Sequence, residues 1–176
     1  MILKPTPLAG AFVIECEKLV DERGFFARTF SASDFLRAGL EPAVSECSIS
    51  YNHRRGTLRG MHYQKEPHAE AKLVRCTQGT VFDVIVDLRE NSATLAHWFS
   101  VELSASNRLA LYVPHGFAHG FQTLTDETEV YYQISAPHTP EAARGVRWDD
   151  PAFEITWPDG ARTISERDRH FPDYRR

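Results

Sequence analysis

The sequence predicts an all-β sandwich or barrel. From Ala11 to about Ile134, short segments rich in Val, Ile, Phe, Tyr and Thr alternate with Gly, Pro, Asn and Asp. Many short strands at regular spacing, with turn residues between them, are typical of sandwiches and barrels. A chain of 176 residues is also long enough to bury a substantial core. We therefore expect one domain spanning residues 1–176.

Ten segments are predicted to be strands because β-branched and aromatic residues dominate each of them. In chain order they are Phe12–Glu15, Phe25–Phe30, Val44–Tyr51, Thr57–Tyr63, Ala71–Thr77, Thr80–Leu88, His97–Leu103, Leu109–Val113, His119–Thr123 and Glu129–Ser135. Gln78 and Gly79 separate the fifth segment from the sixth, and this dipeptide predicts a tight hairpin.

Helices are expected to be short and peripheral. The residues Ser33–Ala38 predict one, with Ser31 or Ser33 as its N-cap and Gly39 just past its end. No linker or low-complexity segment precedes the tail from Pro151 to Arg176. We expect this tail to fold back on the same domain.

Charge and cysteine content exclude several classes of protein. The 20 Lys and Arg against 24 Asp and Glu give a formal charge of -4, too mild for a nucleic-acid-binding protein. Cys16, Cys47 and Cys76 form no CxxC pair, which argues against a disulfide framework and a zinc ribbon. Residues 1–10 contain no long apolar run that would predict a signal peptide or a membrane anchor. We expect a soluble, cytoplasmic protein with no membrane or nucleic-acid partner.

The most informative segment is Gly56–Gln64, which places Arg59 three positions before His62, with Lys72 ten residues further on. On neighbouring strands these side chains would bring a proton acceptor and two cations to one wall of a cavity. Strict alternation would put Arg59 and His62 on opposite faces of the strand. A bulge at Gly60 would bring both to the same face.

Each candidate has an ordinary structural alternative. His62 is a candidate base, because a free imidazole, with a pKa of about 6.5, accepts a proton near neutral pH, but histidines also satisfy polar networks. Arg59, Lys72 and Arg75 suit phosphate binding, although charged side chains are common on strand surfaces.

Tyr131 and Tyr132 alternate in direction, so one of them points inward and is either a proton donor or an aromatic core residue. Asp168 near the end of the chain either contributes a carboxylate to the site or caps a turn.

Metal binding and three other chemistries are disfavoured. His115 and His119 lie four residues apart after a proline turn, but the earlier segment offers only His62 where a cupin metal site needs a His-x-His pair and a glutamate. No nucleophile elbow, dinucleotide fingerprint or P-loop is present in the sequence. We predict no metal and no cofactor.

The sequence resembles the dTDP-4-dehydrorhamnose 3,5-epimerase family, the RmlC-like branch of the cupins. The resemblance runs over nearly the whole chain and is specific because its motifs occur in the family's order. They are residues 21–26 (DERGFF), 56–64 (GTLRGMHYQ), 72–75 (KLVR), 83–89 (DVIVDLR), 114–121 (PHGFAHGF), 148–151 (WDDP) and 165–168 (SERD).

The resemblance implies a jelly-roll β-sandwich and a homodimer that shares strands across its interface, without metal. It also implies an isomerase of deoxysugar and polysaccharide biosynthesis. The family reaction removes a proton from carbon next to the C4 ketone of a nucleotide-linked 4-keto-6-deoxyhexose and returns one from the opposite face.

By the same resemblance, His62 is the base, Asp168 is its partner and Tyr132 is the acid. Lys72 stabilises the enolate oxygen, an electrostatic effect on the order of 3 kcal/mol. The residues implied in substrate binding are Arg23, Phe26, Arg59, Gln64 and His119, of which Arg23, Phe26 and Arg59 lie at the nucleotide and diphosphate.

Five departures from the family pattern occur at the nucleotide end, where this chain has Arg28, Glu46, Ser48, His138 and Ala143. We expect Arg28 and Glu46 either to form a charge-swapped pair or to read a base other than thymine, such as cytosine or guanine. Three alternatives share the scaffold: a C3-only epimerase, a 3,4-ketoisomerase and a non-catalytic sugar-nucleotide-binding cupin.

Overall fold

The computed structural model describes residues 1–175, most of which lie in or between strands. The strands are β1 (Ile2–Pro5), β2 (Phe12–Glu15), β3 (Lys18–Asp21), β4 (Gly24–Ala27), β5 (Glu46–Asn52), β6 (Thr57–Gln64), β7 (Lys72–Gln78), β8 (Thr80–Asp87), β9 (Trp98–Ser104), β10 (Ala110–Val113), β11 (Phe117–Thr123), β12 (Thr128–Ile134), β13 (Ala143–Gly145) and β14 (Thr163–Ile164). The two helices are α1 (Ala32–Arg37) and α2 (Glu166–Arg169).

Two six-membered groups of strands form the sandwich. The first sheet has the order β1-β2-β10-β7-β12-β5, and the second has the order β13-β6-β11-β8-β9 with β14 pairing beside β6. Strands β3 and β4 pair with each other in a separate hairpin. This arrangement confirms the expected all-β jelly roll with short peripheral helices.

Apolar side chains fill the space between the two sheets. Val74 and Leu111 of the first sheet meet Val81, Ile85 and Phe121 of the second in one buried cluster. Because side chains alternate along a strand, the polar residues between these positions must point away or find partners inside. The polar side chains of the candidate active site are among those that point inward.

The outer faces of the sheets are covered unequally. Phe153 and Trp157 of the tail pack on Leu58, Val84 and other outward residues of the second sheet. On the first sheet, Phe35 of α1 packs against Leu73, Ala110 and Tyr112. Helix α1 begins after Ser31, whose hydroxyl accepts a hydrogen bond from the backbone N–H of Asp34 at 3.3 Å, so the predicted helix and its Ser31 cap are confirmed.

The predicted hairpin at Gln78–Gly79 is wrong. Strand β7 pairs with β10 and β12, whereas β8 pairs with β9 and β11, so the short connection passes from one sheet to the other. A sequence turn signal records that the chain reverses, but not whether the two strands exchange hydrogen bonds. Here both strands bury apolar residues against each other across the sandwich.

The observed strand boundaries differ from the predicted ones where tertiary contacts compete with the β-propensity of the sequence. The predicted strand Phe25–Phe30 ends at Ala27, because Phe30 turns away to pack edge-on against Phe35 with ring centroids 4.9 Å apart. Strands β1, β3, β13 and β14 were not predicted. They are two to four residues long, too short to show a clear alternation in the sequence.

The predicted bulge at Gly60 is present in β6. His62 pairs with His119 and Arg59 with Phe121 on β11, so two residues of β6 stand opposite the single residue Gly120. The extra residue brings Arg59 and His62 to the same inward face. Gly60 has φ +133°, and a Cβ there would lie 2.6 Å from the Cα of Gly120, so this crossing requires glycine.

Candidate active site

A hydrogen-bonded histidine and aspartate form the centre of the candidate site. His62 Nε2 lies 2.8 Å from Asp168 Oδ1, and the second oxygen of Asp168 accepts the backbone N–H of Gly60 at 3.1 Å. The Asp168 side chain is 6% exposed, while that of His62 is 41% exposed. Ser165 caps α2, so Asp168 is not the turn cap but the partner of the histidine.

This environment keeps Asp168 ionised. Burial raises the pKa of its carboxyl, but the hydrogen bond and charge of His62, with the backbone N–H of Gly60 and the side chain of Ser165, outweigh burial and lower the pKa below its ordinary value. An ionised Asp168 accepts a hydrogen bond from His62 Nε2–H, which leaves the Nδ1 lone pair of His62 as the proton acceptor.

Lys72 faces this histidine from the opposite sheet. Its Nζ lies 3.0 Å from Glu70 Oε1 and 3.4 Å from the backbone carbonyl oxygen of His62. These three residues line a cavity of about 190 Å³, together with Glu46 and His138. The sandwich thus brings a base and an ammonium group to the same space, as the sequence predicts.

A second, fully buried histidine–aspartate pair lies behind the first. His119 Nε2 is 2.9 Å and 3.1 Å from the two carboxylate oxygens of Asp83, and both residues are buried. Burial raises the pKa of Asp83, against the lowering effects of His119 and Lys72. The ring of Tyr132 packs edge-on against His119 at a centroid distance of 6.0 Å.

Tyr132 is the inward-facing tyrosine of its pair and lies on the first sheet, whereas His62 lies on the second. Its pKa is raised well above the ordinary value by burial and by the negative charge of Asp83, while the charge of Arg59 acts in the opposite direction. The phenol is therefore neutral at physiological pH and able to donate a proton. Tyr131 pairs with Arg75 and Ile49 on the other face of the sheet.

Arg59 lies at the mouth of the site. Its Nε donates to Asn52 Oδ1 at 2.8 Å. With His62 and Asp168, it lines an opening of about 440 Å³. Arg75, the third cation considered, points outward and donates to the carbonyl oxygen of Arg108 at 2.9 Å, so it does not join the site.

Three of the predicted substrate-binding residues, Glu46, Gln64 and His138, line the cavity. Glu46 Oε1 accepts the backbone N–H of His138 at 3.1 Å. Gln64 Oε1 accepts the N–H of Thr139 at 2.6 Å, and its amide donates to the carbonyl oxygen of His68 at 2.9 Å. Gln64 thus orders the loops at the rim. Ser48 pairs with Tyr132 across the first sheet.

The remaining three predicted residues are not brought to the site within one chain. Arg23, Phe26 and Arg28 belong to the β3–β4 hairpin or directly follow it, and line neither cavity. Arg23 is 84% exposed and pairs with Asp21 at 2.5 Å. Within the described chain Glu46 bonds to His138 and forms no ion pair with Arg28, so the expected Arg28–Glu46 pair is not formed in one protomer.

Two site residues, Asp83 and Glu70, were missed from the sequence. Asp83 interrupts an apolar strand, and a buried charge requires a partner, so the pattern Val81–Val86 was a usable signal. Glu70 precedes strand β7 in a loop, where alternation gives no direction. Among residues 1–175, no cluster of three or more His, Cys, Asp or Glu side chains suits a metal ion.

None of the helices described in residues 1–175 has the length and apolar content that a membrane crossing requires.

Comparison with known proteins gives a consistent result. A sequence profile for dTDP-4-dehydrorhamnose 3,5-epimerase matches residues 5–176. The chain is 44% identical over 173 residues to the dTDP-4-dehydrorhamnose 3,5-epimerase of Methanothermobacter thermautotrophicus, covering 97% of this chain and 92% of the relative.

Solved structures of similar proteins share the fold. A dTDP-4-dehydrorhamnose 3,5-epimerase from Elizabethkingia anophelis superposes with a TM-score of 0.96 at 39% identity, covering 99% of this chain and 96% of the other. Its counterpart from Bacillus anthracis, which has TDP and PPi bound, has a TM-score of 0.93 at 36% identity, covering 98% and 99%.

We predict that Asp168→Asn alters how stability depends on pH. The folded protein holds the pKa of Asp168 below its ordinary value of about 3.9, so the ionised carboxylate stabilises the fold at neutral pH. This contribution is complete above about pH 5 and is lost as the pH falls through the lower, folded pKa. The variant should be about 1–3 kcal/mol less stable at pH 7.

Urea unfolding between pH 7 and pH 2 measures this difference. The two stability curves should converge toward the acidic end, and the exposed Asp159→Asn serves as the matched control. Curves that stay parallel down to pH 2 would show that the Asp168 charge is not coupled to folding.

Proposed function

The chain belongs to the dTDP-4-dehydrorhamnose 3,5-epimerase family, and from this premise we propose how its residues invert C3 and C5 of a nucleotide-linked 4-keto-6-deoxyhexose. It is an isomerase of the epimerase class. The named relatives are epimerases and give no support to a 3,4-ketoisomerase or a non-catalytic binding module. The observation that carries the mechanism is the placement of His62 and Tyr132 on opposing sheets of one sandwich.

His62 is proposed as the general base. Asp168 holds Nε2, so Nδ1 is free to take the proton from the carbon beside the C4 ketone. The electron pair of the broken C–H bond moves to the ketone oxygen and forms an enolate. The ionised Asp168 also stabilises the imidazolium that results, because it lies 2.8 Å from the ring nitrogen and is buried.

Lys72 is proposed to stabilise the enolate oxygen. Its side chain is 12% exposed, so its charge acts through a medium of low dielectric constant. An ammonium group that lines the same cavity as His62 is well placed for the C4 oxygen, which is two bonds from the carbon that loses its proton.

Tyr132 is proposed as the acid that returns a proton to the opposite face of the ring. Its raised pKa keeps the phenol protonated until the enolate forms. Arg59 lowers the cost of the phenolate that remains, because its positive charge favours the ionised form. His119 and Asp83 hold the tyrosine ring from behind.

We propose that the protein acts as a homodimer with strands shared across the interface. The β3–β4 hairpin pairs with no other strand of residues 1–175, and its apolar residues Leu19, Val20 and Phe26 are 70%, 75% and 67% exposed. Such a hairpin in a second copy would bring Arg23 and the residues beside it to a nucleotide site that they do not reach within their own chain.

We propose dTDP as the carrier of the sugar, because the named relatives act on dTDP sugars and one related structure holds TDP. The residues that we propose at the nucleotide base are Arg28, Glu46, Ser48 and His138. We also propose that residues 1–176 form one cupin domain. Metal independence and a cytoplasmic location stay predictions.

We predict that turnover in deuterated water places deuterium at two carbons of the product, C3 and C5, because each inversion exchanges one proton. Mass spectrometry counts the exchanged positions, and a single exchanged carbon would identify a C3-only epimerase. His62→Ala should lose roughly 10²–10⁴-fold in rate, the range for a general base.

Tyr132→Phe should still exchange a proton through His62 but invert the carbon poorly, since the opposing acid is gone. Tyr131→Phe is the matched control because it lies on the same strand and the other face. Undiminished turnover in His62→Ala would refute the base assignment.

We predict that the protein has twice the chain mass in solution and that Val20→Asp converts it to a monomer with little activity. A charge at this exposed apolar position opposes burial against a second copy. Light scattering after size-exclusion chromatography measures the mass. Leu36→Asp, at a position 69% exposed on α1, is the control, and a wild-type monomer with full activity would overturn the proposal.

We predict that dTDP binds about tenfold or more tightly than UDP, CDP or GDP. Calorimetric titration of the four diphosphates measures this order, and Glu46→Gln tests whether the carboxylate at the cavity rim contributes to it. Equal or tighter binding of CDP or GDP would contradict the dTDP assignment and favour the alternative bases.

A further inference from the structure

Glu70 forms a buried ion pair with Lys72, and a contribution to folding stability does not explain the geometry of this pair. Its side chain is 6% exposed, and one carboxylate oxygen, Oε1, lies 3.0 Å from Lys72 Nζ. The other oxygen, Oε2, is buried and has no hydrogen-bond partner among residues 1–175. A buried ion pair with an unsatisfied oxygen stabilises a fold poorly, because desolvation of the carboxylate is only partly repaid.

Two neighbours hold the ammonium group of Lys72 in place. Glu70 Oε1 forms an ion pair with Nζ at 3.0 Å, and Nζ donates a hydrogen bond to the carbonyl oxygen of His62 at 3.4 Å. The position of the ammonium charge is therefore set by a buried carboxylate on one side and a backbone carbonyl on the other. The cavity that Lys72 and Glu70 both line also holds His62, the proposed base.

We propose that Glu70 is a positioning residue that holds the ammonium group of Lys72 beside the oxygen on which the enolate charge develops. This inference rests on the proposed role of Lys72. A donor that is oriented in advance acts on the transition state without reorganisation, which is where such a contact has its largest effect. The His62 carbonyl is a longer contact and carries no net charge, so the position of the ammonium group depends mainly on the attraction of Glu70.

The expected kinetic signature is a loss of kcat with little change in KM. The enolate charge exists only after the proton has left, so a misdirected ammonium group weakens the transition state more than substrate binding. Glu70→Gln keeps an oxygen acceptor but removes the charge, and should lower kcat about tenfold, because a neutral amide attracts the ammonium group less strongly than a carboxylate does. Glu70→Ala removes the acceptor and should lower kcat about 100-fold.

A double-mutant cycle tests whether Glu70 acts through Lys72. Glu70→Gln, Lys72→Met and the double variant are compared by solvent deuterium exchange into the 4-keto sugar nucleotide. If Glu70 acts only by orienting the ammonium group, Glu70→Gln should cost nothing further once Lys72 is methionine. Glu66→Gln, an exposed glutamate of the same loop, is the matched control, and thermal unfolding checks that each variant is folded.

The outcomes separate this inference from the proposed function. An undiminished tenfold loss in the Lys72→Met background would overturn the positioning role of Glu70 and leave the function of Lys72 intact. A rise in KM at constant kcat would likewise overturn it. If Lys72→Met itself had wild-type kcat, the proposed role of Lys72 in the function would fall, and the role of Glu70 with it.

Discussion

The site depends on one extra residue in strand β6. A regular strand would turn either Arg59 or His62 away from the interior, and the bulge at Gly60 turns both inward. The close approach of Gly60 and Gly120 leaves no room for a side chain at either position: a Cβ on Gly120 would lie 2.7 Å from the carbonyl oxygen of Arg59. Asp168 then binds both the Gly60 N–H and His62, so one carboxylate ties the bulge to the base.

Three buried carboxylates of the interior pair with a histidine or a lysine, and they differ in how many of their oxygens have partners. Asp83 is satisfied by His119 through both oxygens, which makes a rigid support behind Tyr132. Asp168 has hydrogen-bond partners in His62, Gly60 and Ser165, and these partners favour its ionised form. Glu70 alone keeps a buried oxygen without a partner in the described chain. The first two pairs are explained by hydrogen bonding, and the third is explained better by what it does to Lys72.

The distribution of exposed apolar surface complements the distribution of site residues. The tail and α1 cover most outward faces of the sandwich, but the β3–β4 hairpin and Ile49 of edge strand β5 stay exposed, Ile49 by 62%. Substrate-binding candidates that fail to reach the cavity, such as Arg23, lie on this same hairpin. The proposed homodimer would account both for the uncovered hairpin and for the distance of these residues from the cavity of their own chain.

The sequence by itself determined the strand-rich fold and the short helix before Gly39, and it singled out His62, Lys72 and Tyr132 as candidate site residues, because these depend on local periodicity, capping and motif order. Sequence reasoning also located the bulge, since only glycine suited it. Tertiary structure alone decided that β7 and β8 lie in different sheets, that Ser31 rather than Ser33 caps α1, and that Glu70 meets Lys72. These are contacts between residues distant in sequence or set in loops, where neither alternation nor propensity specifies direction, and packing and charge pairing fix the geometry.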